Sequence, residues 1–320
     1  MKNIKHIIGN ELDEFERKFA DNVKGSNPLL DRIMRFIIRR KGKQMRPMFV
    51  FLSARIAGGV TETTYRAASL IELLHTATLV HDDVVDHAMV RRNFFSINAL
   101  WKNKIAVLVG DYLLAKGLLL AVAHDDYKIL QITSRAVREI SEGELLQMEK
   151  ARKLDIEEDV YFEIIRAKTA SLLSAACAAG AWSAAGDETM TERFRLFGEK
   201  VGIAFQIRDD LFDYGLENIG KPTGIDIKEK KLTLPLIYTL RHADRSTRRQ
   251  ITYIIKNQNT DRKKVDEVIR LVQASGGIAY ATQQMQQYQR EAIDLLHTCP
   301  ETPERQAMEE LVRYVIERQH

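Results

Sequence analysis

The chain has 320 residues with 48 Lys and Arg against 44 Asp and Glu, a net charge of +4. At 45% hydrophobic and 29% charged residues it has a globular composition, and a disordered or fibrous protein is excluded. No long basic block argues for nucleic acid as a partner.

The first segment, MKNIKHIIGNELDEFERKFADN, carries acidic residues and lacks the apolar core of a signal peptide. The two cysteines, Cys177 and Cys299, have no metal-ligand spacing and suggest no disulfide framework, which fits a reducing compartment. No stretch reads as an unbroken transmembrane span, so a cytoplasmic location is expected.

Six prolines are present, and none lies between Pro47 and Pro222. A span that long, rich in Ala, Leu, Ile, Glu and Lys, reads as consecutive helices. Breaks are expected at Gly58-Gly59, Asp125-Asp126 and Gly186-Asp187. Strand alternation and hairpin dipeptides are missing, so a sheet is hard to place. The expected architecture is all-α, a single helical domain over residues 1–320.

Ahead of the long apolar helix beginning near Pro47 stand Lys43 and Arg46, in KGKQMRP. After Gly59, Ala67, Ile71, Leu74 and Thr78 fall at helical spacing, and His75, Thr78, Asp82 and Asp86 continue a stripe along one side. LVHDDVVDHAMVRR holds Asp82, Asp83 and Asp86, then Arg91 and Arg92 little more than a helical turn later. Lys168 and Thr169 lie in IIRAKTASLLSAACAAG, where a lone Lys on an apolar helix wants an anionic partner. Phe194, Phe197, Val201 and Phe205 form an apolar stripe leading into Gln206, Asp209, Asp210 and Asp213. From Glu217 to Lys231 a polar segment with Lys221 reads as a surface loop.

Each aspartate cluster is D-D-x-x-D. On a helix, positions i and i+4 share a face, so the outer carboxylates can grip one ion together while the middle one reaches an adjacent ion or a bound water. Crowded carboxylates repel one another unless a cation neutralises them. All-oxygen ligands select a hard cation, and Mg²⁺ is the one that bridges carboxylates to phosphates. The pair in HDDYK, Asp125 and Asp126, lacks the third Asp and reads as a turn. Arginine and lysine beside such clusters supply the cations that a diphosphate needs.

Taken together, these segments resemble the trans-isoprenyl diphosphate synthases, the polyprenyl synthetase family, from about Lys41 to Pro235. GKQMRP, IELLHTATLVHDD, NKIAVLVGDYLLA, EGELLQ, RAKTASL, FQIRDDLFD and GKPTGIDIKEKKLTLP match family segments in family order. Lys41, Gln44, Asn93, Phe95 and Lys230 depart from the family pattern without removing a phosphate or metal ligand. The resemblance implies a helical bundle of the isoprenoid synthase type with a central cavity, a homodimer, and the joining of isopentenyl diphosphate to an allylic diphosphate. It assigns isopentenyl diphosphate to Lys43, Arg46, His75 and Arg92. The allylic diphosphate goes to Arg91, Lys168, Thr169, Gln206, Lys221 and Lys231. Asp82, Asp86 and Asp209 become the principal Mg²⁺ ligands, supported by Asp83, Asp210 and Asp213.

A terpene cyclase or squalene-type synthase also ionises prenyl diphosphates at acidic helices, but has no need for a separate isopentenyl diphosphate site. A subunit of a heteromeric synthase could lose its metal ligands, whereas this chain keeps both sets. Product length is read from the turn below Asp82. There Ala77 and Thr78 are small, where the resembling short-chain enzymes commonly carry an aromatic ring. An open channel at that level, stopped deeper near Leu74 or Ile71 or by a facing helix, predicts a C30–C40 product.

Overall fold

The computed structural model describes residues 2–25, 27–39, 42–91, 94–153, 157–215 and 223–317. Among them, secondary structure is helical apart from one hairpin of two-residue strands, Val90–Arg91 and Phe94–Phe95. The chain divides into two compact units. The first takes Met1–Val137, Ser174–Arg195 and Cys299–Met308, and the second takes Arg138–Leu173, Leu196–Thr298 and Glu309–His320.

The first unit is built on α1 (Lys2–Asn22), α2 (Pro28–Arg39), α3 (Met45–Ala57), α4 (Glu62–Val85) and α5 (Ile97–Val122). Thr61 opens α4 with a reciprocal cap: its hydroxyl accepts from the Thr64 amide while Thr64 Oγ1 accepts from the Thr61 amide. The most extensive packing in the unit runs between α4 and α5, where Leu73, Ala77, Val80, Ala106, Val109 and Leu113 are buried together. Gly117 makes that seam close. A Cβ there would stand 2.7 Å from Leu70 Cδ1. The expected breaks occur: Gly58 and Gly59 take positive φ after α3, Asp125 turns at φ 56 before α6 (Tyr127–Lys153), and Gly186 (φ 60) separates α8 (Ser171–Ala185) from α9 (Glu188–Phe212).

The second unit packs the later turns of α9 with α7 (Glu158–Ile165), α11 (Leu234–His242), α12 (Arg245–Asn257), α13 (Arg262–Ala274) and α14 (Gly277–His297). Its core holds Ile203, Ile207, Tyr214, Leu234, Ile251 and Val268, all fully or almost fully buried. Full burial of such side chains contributes about 1.5–3 kcal/mol each, which is the main force holding these helices together.

Three sequence expectations change. The Phe194, Phe197, Val201 stripe is buried, but Phe205 is 38% exposed. The segment before Lys231 is not all surface loop, because a one-turn helix, α10 (Ile225–Lys228), buries Ile227. And one helix, α5, is long and apolar enough to cross a membrane by length and composition, with 33% of its most apolar window buried. Its sequence does not read that way because Lys102, Lys104, Asp111 and Lys116 interrupt the apolar run without spoiling its average.

Candidate active site

In the first unit α4 delivers Asp82 and Asp83 in its last turn, and Asp86 caps it. The Asp86 amide still donates to the Asp82 carbonyl at 2.8 Å, so the helical i, i+4 relation survives at the cap. Asp82 is half-buried and Asp86 exposed, while Asp83 is buried and faces a cavity of about 160 Å³. His75, Glu72, Gln44 and Ser96 bring polar atoms to the same cavity, and Phe19, Phe36, Leu79 and Phe95 give it apolar walls. Gln44 reaches it from a left-handed turn (φ 55) that starts α3, with Lys43 exposed just before and Arg46 half-buried in the first helical turn. Arg91 is not on a helical continuation of α4. It ends the first hairpin strand, paired with Phe94. Arg92 lies outside the described residues, as does Lys221.

The residues below the aspartates separate. Ala77 is completely buried within the α4–α5 seam, and Leu74 is buried nearby. Thr78 is half-buried, its hydroxyl donating to the His75 carbonyl at 2.9 Å.

In the second unit the chain makes a π turn, Arg166–Ala170, between α7 and α8, closed by the Ser171 amide on the Arg166 carbonyl. A π turn inserts one extra residue and shifts the side-chain register, a distortion frequent at functional sites. Lys168 and Thr169 both line a cavity of about 200 Å³ as a result, together with Gln206, Asp209, Asp210 and Lys231. Two glycines hold the turn from opposite neighbours. A Cβ on Gly202 of α9 would lie 2.5 Å from Ala170 Cα, and one on Gly143 of α6 would lie 2.8 Å from Ala167 Cβ and 3.1 Å from the Lys168 nitrogen.

Hydrogen bonds order this cavity. Thr169 Oγ1 donates to Gln206 Oε1 at 2.7 Å, Gln206 Nε2 donates to Asp210 at 2.8 Å, and the Tyr161 hydroxyl donates to the other Asp210 oxygen at 2.7 Å. Lys168 is not alone on its apolar helix: Glu144, from the EGELLQ segment, forms an ion pair with it. Asp209 is exposed at the cavity. Asp213 sits just past the end of α9 and is used by backbone, accepting from the Ile225 amide at 2.8 Å and the Asp226 amide at 3.1 Å.

Burial pushes the Asp210 carboxyl well above the usual carboxylate range, with the Asp226 charge adding to it. Asp226 is raised to about 7, first by burial and then by Asp213, with Lys231 partly opposing. Ionised together, these buried carboxylates would be poorly solvated and would repel one another.

The polyprenyl synthetase family model matches residues 27–272. This chain belongs to that family, and it is a prenyltransferase. A nonaprenyl diphosphate synthase from Rhodobacter capsulatus, described as geranyl-diphosphate specific, is 36% identical over 96% of this chain and 94% of that protein. Among solved structures, a decaprenyl diphosphate synthase from Rhodobacter capsulatus gives a TM-score of 0.93 at 33% identity, covering 99% of this chain and 98% of that one. A geranylgeranyl pyrophosphate synthase from Bacteroides thetaiotaomicron gives 0.84 at 39% identity, covering 99% and 98%.

The oxygen-only donor set around Asp209, Asp210 and Asp226 is one that a hard divalent cation fits, and such a cation would stabilise the carboxylates in their ionised form. Among the described residues no three His, Cys, Asp or Glu side chains converge into a finished cage. An ion completing its shell with water and phosphate oxygens requires none.

Asp226 and Tyr161 are site residues that the sequence alone does not single out. Asp226 stands in GKPTGIDIKEKK but outside either D-D-x-x-D, and its signal is the Gly-x-Asp before a lysine pair. Tyr161, seven residues before Lys168, has no polar pattern to mark it.

Proposed function

We propose that this polyprenyl synthetase is an all-trans, Mg²⁺-dependent synthase that extends an allylic diphosphate with isopentenyl diphosphate to a C30–C40 product. The observation that carries the reading is the second-unit cavity, where cationic Lys168 and Lys231 and the carboxylates of Asp209, Asp210 and Asp226 share one small space. Lysines alone would suit any anion. Lysines interleaved with crowded carboxyl groups suit an anion that arrives with divalent metal.

In this reading Lys168, Thr169, Gln206 and Lys231 of the second unit hold the allylic diphosphate, to which the resemblance adds Arg91 and Lys221, and each unit brings its own Mg²⁺ ligands, Asp82 and Asp86 in the first and Asp209 in the second. A Mg²⁺ ion held by these aspartates would stabilise the negative charge that builds on the departing diphosphate. Asp213 contributes by fixing the backbone at residues 224–226, which presents Asp226. Tyr161 and Gln206 orient Asp210, and the Thr169 hydroxyl fixes which way round the Gln206 amide sits. The amide oxygen and the Thr169 dipole also stabilise the allylic cation, whose survival requires water to be excluded. The first-unit cavity suits isopentenyl diphosphate, with His75 and Asp83 lining it and Lys43, Arg46 and Arg92 supplying charge. Its apolar walls suit the five-carbon unit. The released diphosphate takes the proton lost on elimination.

Residues 1–320 form one catalytic domain on this proposal, in the cytoplasm. The partner is a second copy: α5 leaves Val107, Leu108, Leu118, Leu119 and Val122 exposed along one stripe, an apolar surface of the kind that dimers cover. Of the two small residues of that turn, Ala77 is fully buried and Thr78 only half-buried, so Thr78 is the one proposed to meet a growing chain.

Farnesyl diphosphate and labelled isopentenyl diphosphate, incubated with Mg²⁺, should yield labelled all-trans products of C30–C40 on chromatography, with nothing formed in chelator. Cyclised products without label would favour a cyclase, and products ending at C20 would remove the chain-length assignment while leaving the condensation.

A further inference from the structure

We infer that the arginine face of α2, with the aromatic and aliphatic side chains beside it, seats the protein on an anionic lipid bilayer. The helix reads PLLDRIMRFIIR. Ile33 and Met34 are buried, whereas Arg32, Arg35 and Arg39 recur at intervals of three and four residues and are all exposed. They border an open cleft of about 830 Å³ whose other walls are Phe36, Phe95, Leu100 and Trp101. Trp101 is held edge-on by Phe36, with ring centroids 5.0 Å apart. Phe95 is 60% exposed and Leu100 42%, large apolar groups left in water. The carboxylate of Asp31 pairs with Arg35 and offsets one of the three arginine charges, so the face stays cationic.

The chemistry of this face selects its occupant. A second copy of the chain, meeting the same patch across a two-fold axis, would bring arginines onto arginines. A soluble polyanion would satisfy the arginines but leave Phe95 and Leu100 in water. An anionic bilayer surface matches both halves: head groups for the cations, and the acyl boundary for the aromatic and aliphatic tips. The use of such docking rests on the proposed function, since a product with a long apolar tail and a diphosphate head belongs in a bilayer. The docking itself does not depend on that activity.

The test uses the full chain, sedimented with phosphatidylcholine vesicles and with phosphatidylcholine vesicles containing one-third phosphatidylglycerol, at about 0.1 M salt. The wild type should pellet with the anionic vesicles and stay in solution with the neutral ones. Arg32→Gln/Arg35→Gln/Arg39→Gln should lower the partition coefficient roughly a hundredfold, at about fivefold per arginine. Leu100→Gln should lower it severalfold while leaving its salt dependence unchanged. Circular dichroism and condensation activity in detergent should be those of the wild type for both variants. Equal binding to both vesicle types, binding to neither, or wild-type binding by the triple variant would overturn the inference. So would a triple variant that keeps vesicle binding while losing affinity for a DNA oligonucleotide or shifting its oligomeric mass. Vesicle binding without condensation activity would instead remove the proposed activity and leave the docking standing.

Discussion

Asp226→Asn isolates the cost of ionising a buried carboxyl in the second-unit cavity. In the fold this carboxyl has its pKa near 7, against an ordinary value of 3.8. The folded protein thus binds more protons than the unfolded chain between those values. Stability is complete below the unfolded pKa and is lost as pH rises through the folded one. A carboxyl displaced that far from its ordinary value accounts for at most about 4 kcal/mol. Because Asp210 shares the cavity and the titration, the part removable at Asp226 alone is about 2–4 kcal/mol at pH 8. For a chain of this size that is a change in Tm of roughly 3–6 °C.

The substitution preserves the backbone contacts that fix this turn, in which the Asp226 amide donates to Asp213 and its carbonyl accepts from the Lys231 amide at 2.8 Å. Lys231 retains Glu229 as an ion-pair partner at 2.5 Å. The assay is thermal melting in chelator from pH 5.5 to 8.5. Wild-type Tm should fall across that window relative to the asparagine variant, which should be the more stable of the two at pH 8. Added Mg²⁺ should restore the wild type at pH 8 and do less for the variant. A wild-type Tm that holds or rises relative to the variant, or a variant less stable at pH 8, would refute the reasoning.

Asp82→Ala and Asp209→Ala should each cut turnover by several orders of magnitude with helical content intact by circular dichroism, and near-normal rates in both would defeat the two-cluster assignment. His75→Ala or Arg92→Ala should raise KM for isopentenyl diphosphate roughly tenfold or more, the worth of one charge-assisted contact at about 1.5–3 kcal/mol, while Lys168→Ala should act mainly on the allylic substrate. Steady-state kinetics varying one substrate at a time separates these. Thr78→Phe should shorten the product in a chromatographic assay with condensation preserved, whereas Ala77→Phe, entering a filled α4–α5 seam, should lower Tm. Tyr161→Phe leaves one Asp210 oxygen without its donor and should weaken Mg²⁺ dependence measured by thermal shift as well as slow turnover.

The all-α architecture and the aspartate helices are legible in the sequence because they rest on local rules. Helix periodicity puts Asp82 at the end of α4 and Asp209 near the end of α9, and glycine pairs and an Asp-Asp turn mark boundaries where the backbone takes positive φ. What stays illegible depends on partners distant in sequence. Nothing local connects Glu144 with Lys168, 24 positions apart. Asp213 matches the third position of its motif, yet its carboxylate is turned to the amides of residues 225 and 226, a role visible only once the chain has folded back on itself. Arg91 shows the converse error: a helical count extended past Asp86 runs through a hairpin. Ala77 and Thr78 are adjacent and both small, and nothing local says which of them faces the packed seam. Only the placement of α5 tells them apart.

The π turn at Arg166–Ala170 divides the chain into positions that can drift and positions that cannot. Gly143 and Gly202 touch it at backbone distance, so any side chain at either would push on main chain, which has no rotamer by which to yield. Varying the side chains that face the substrate, such as Gln206 or Thr169, leaves the turn itself in place. A combinatorial library aimed at new prenyl acceptors should therefore randomise the cavity lining and hold those two glycines fixed. A natural sequence that replaces either one is expected to have straightened this helix and, with it, moved the lysine.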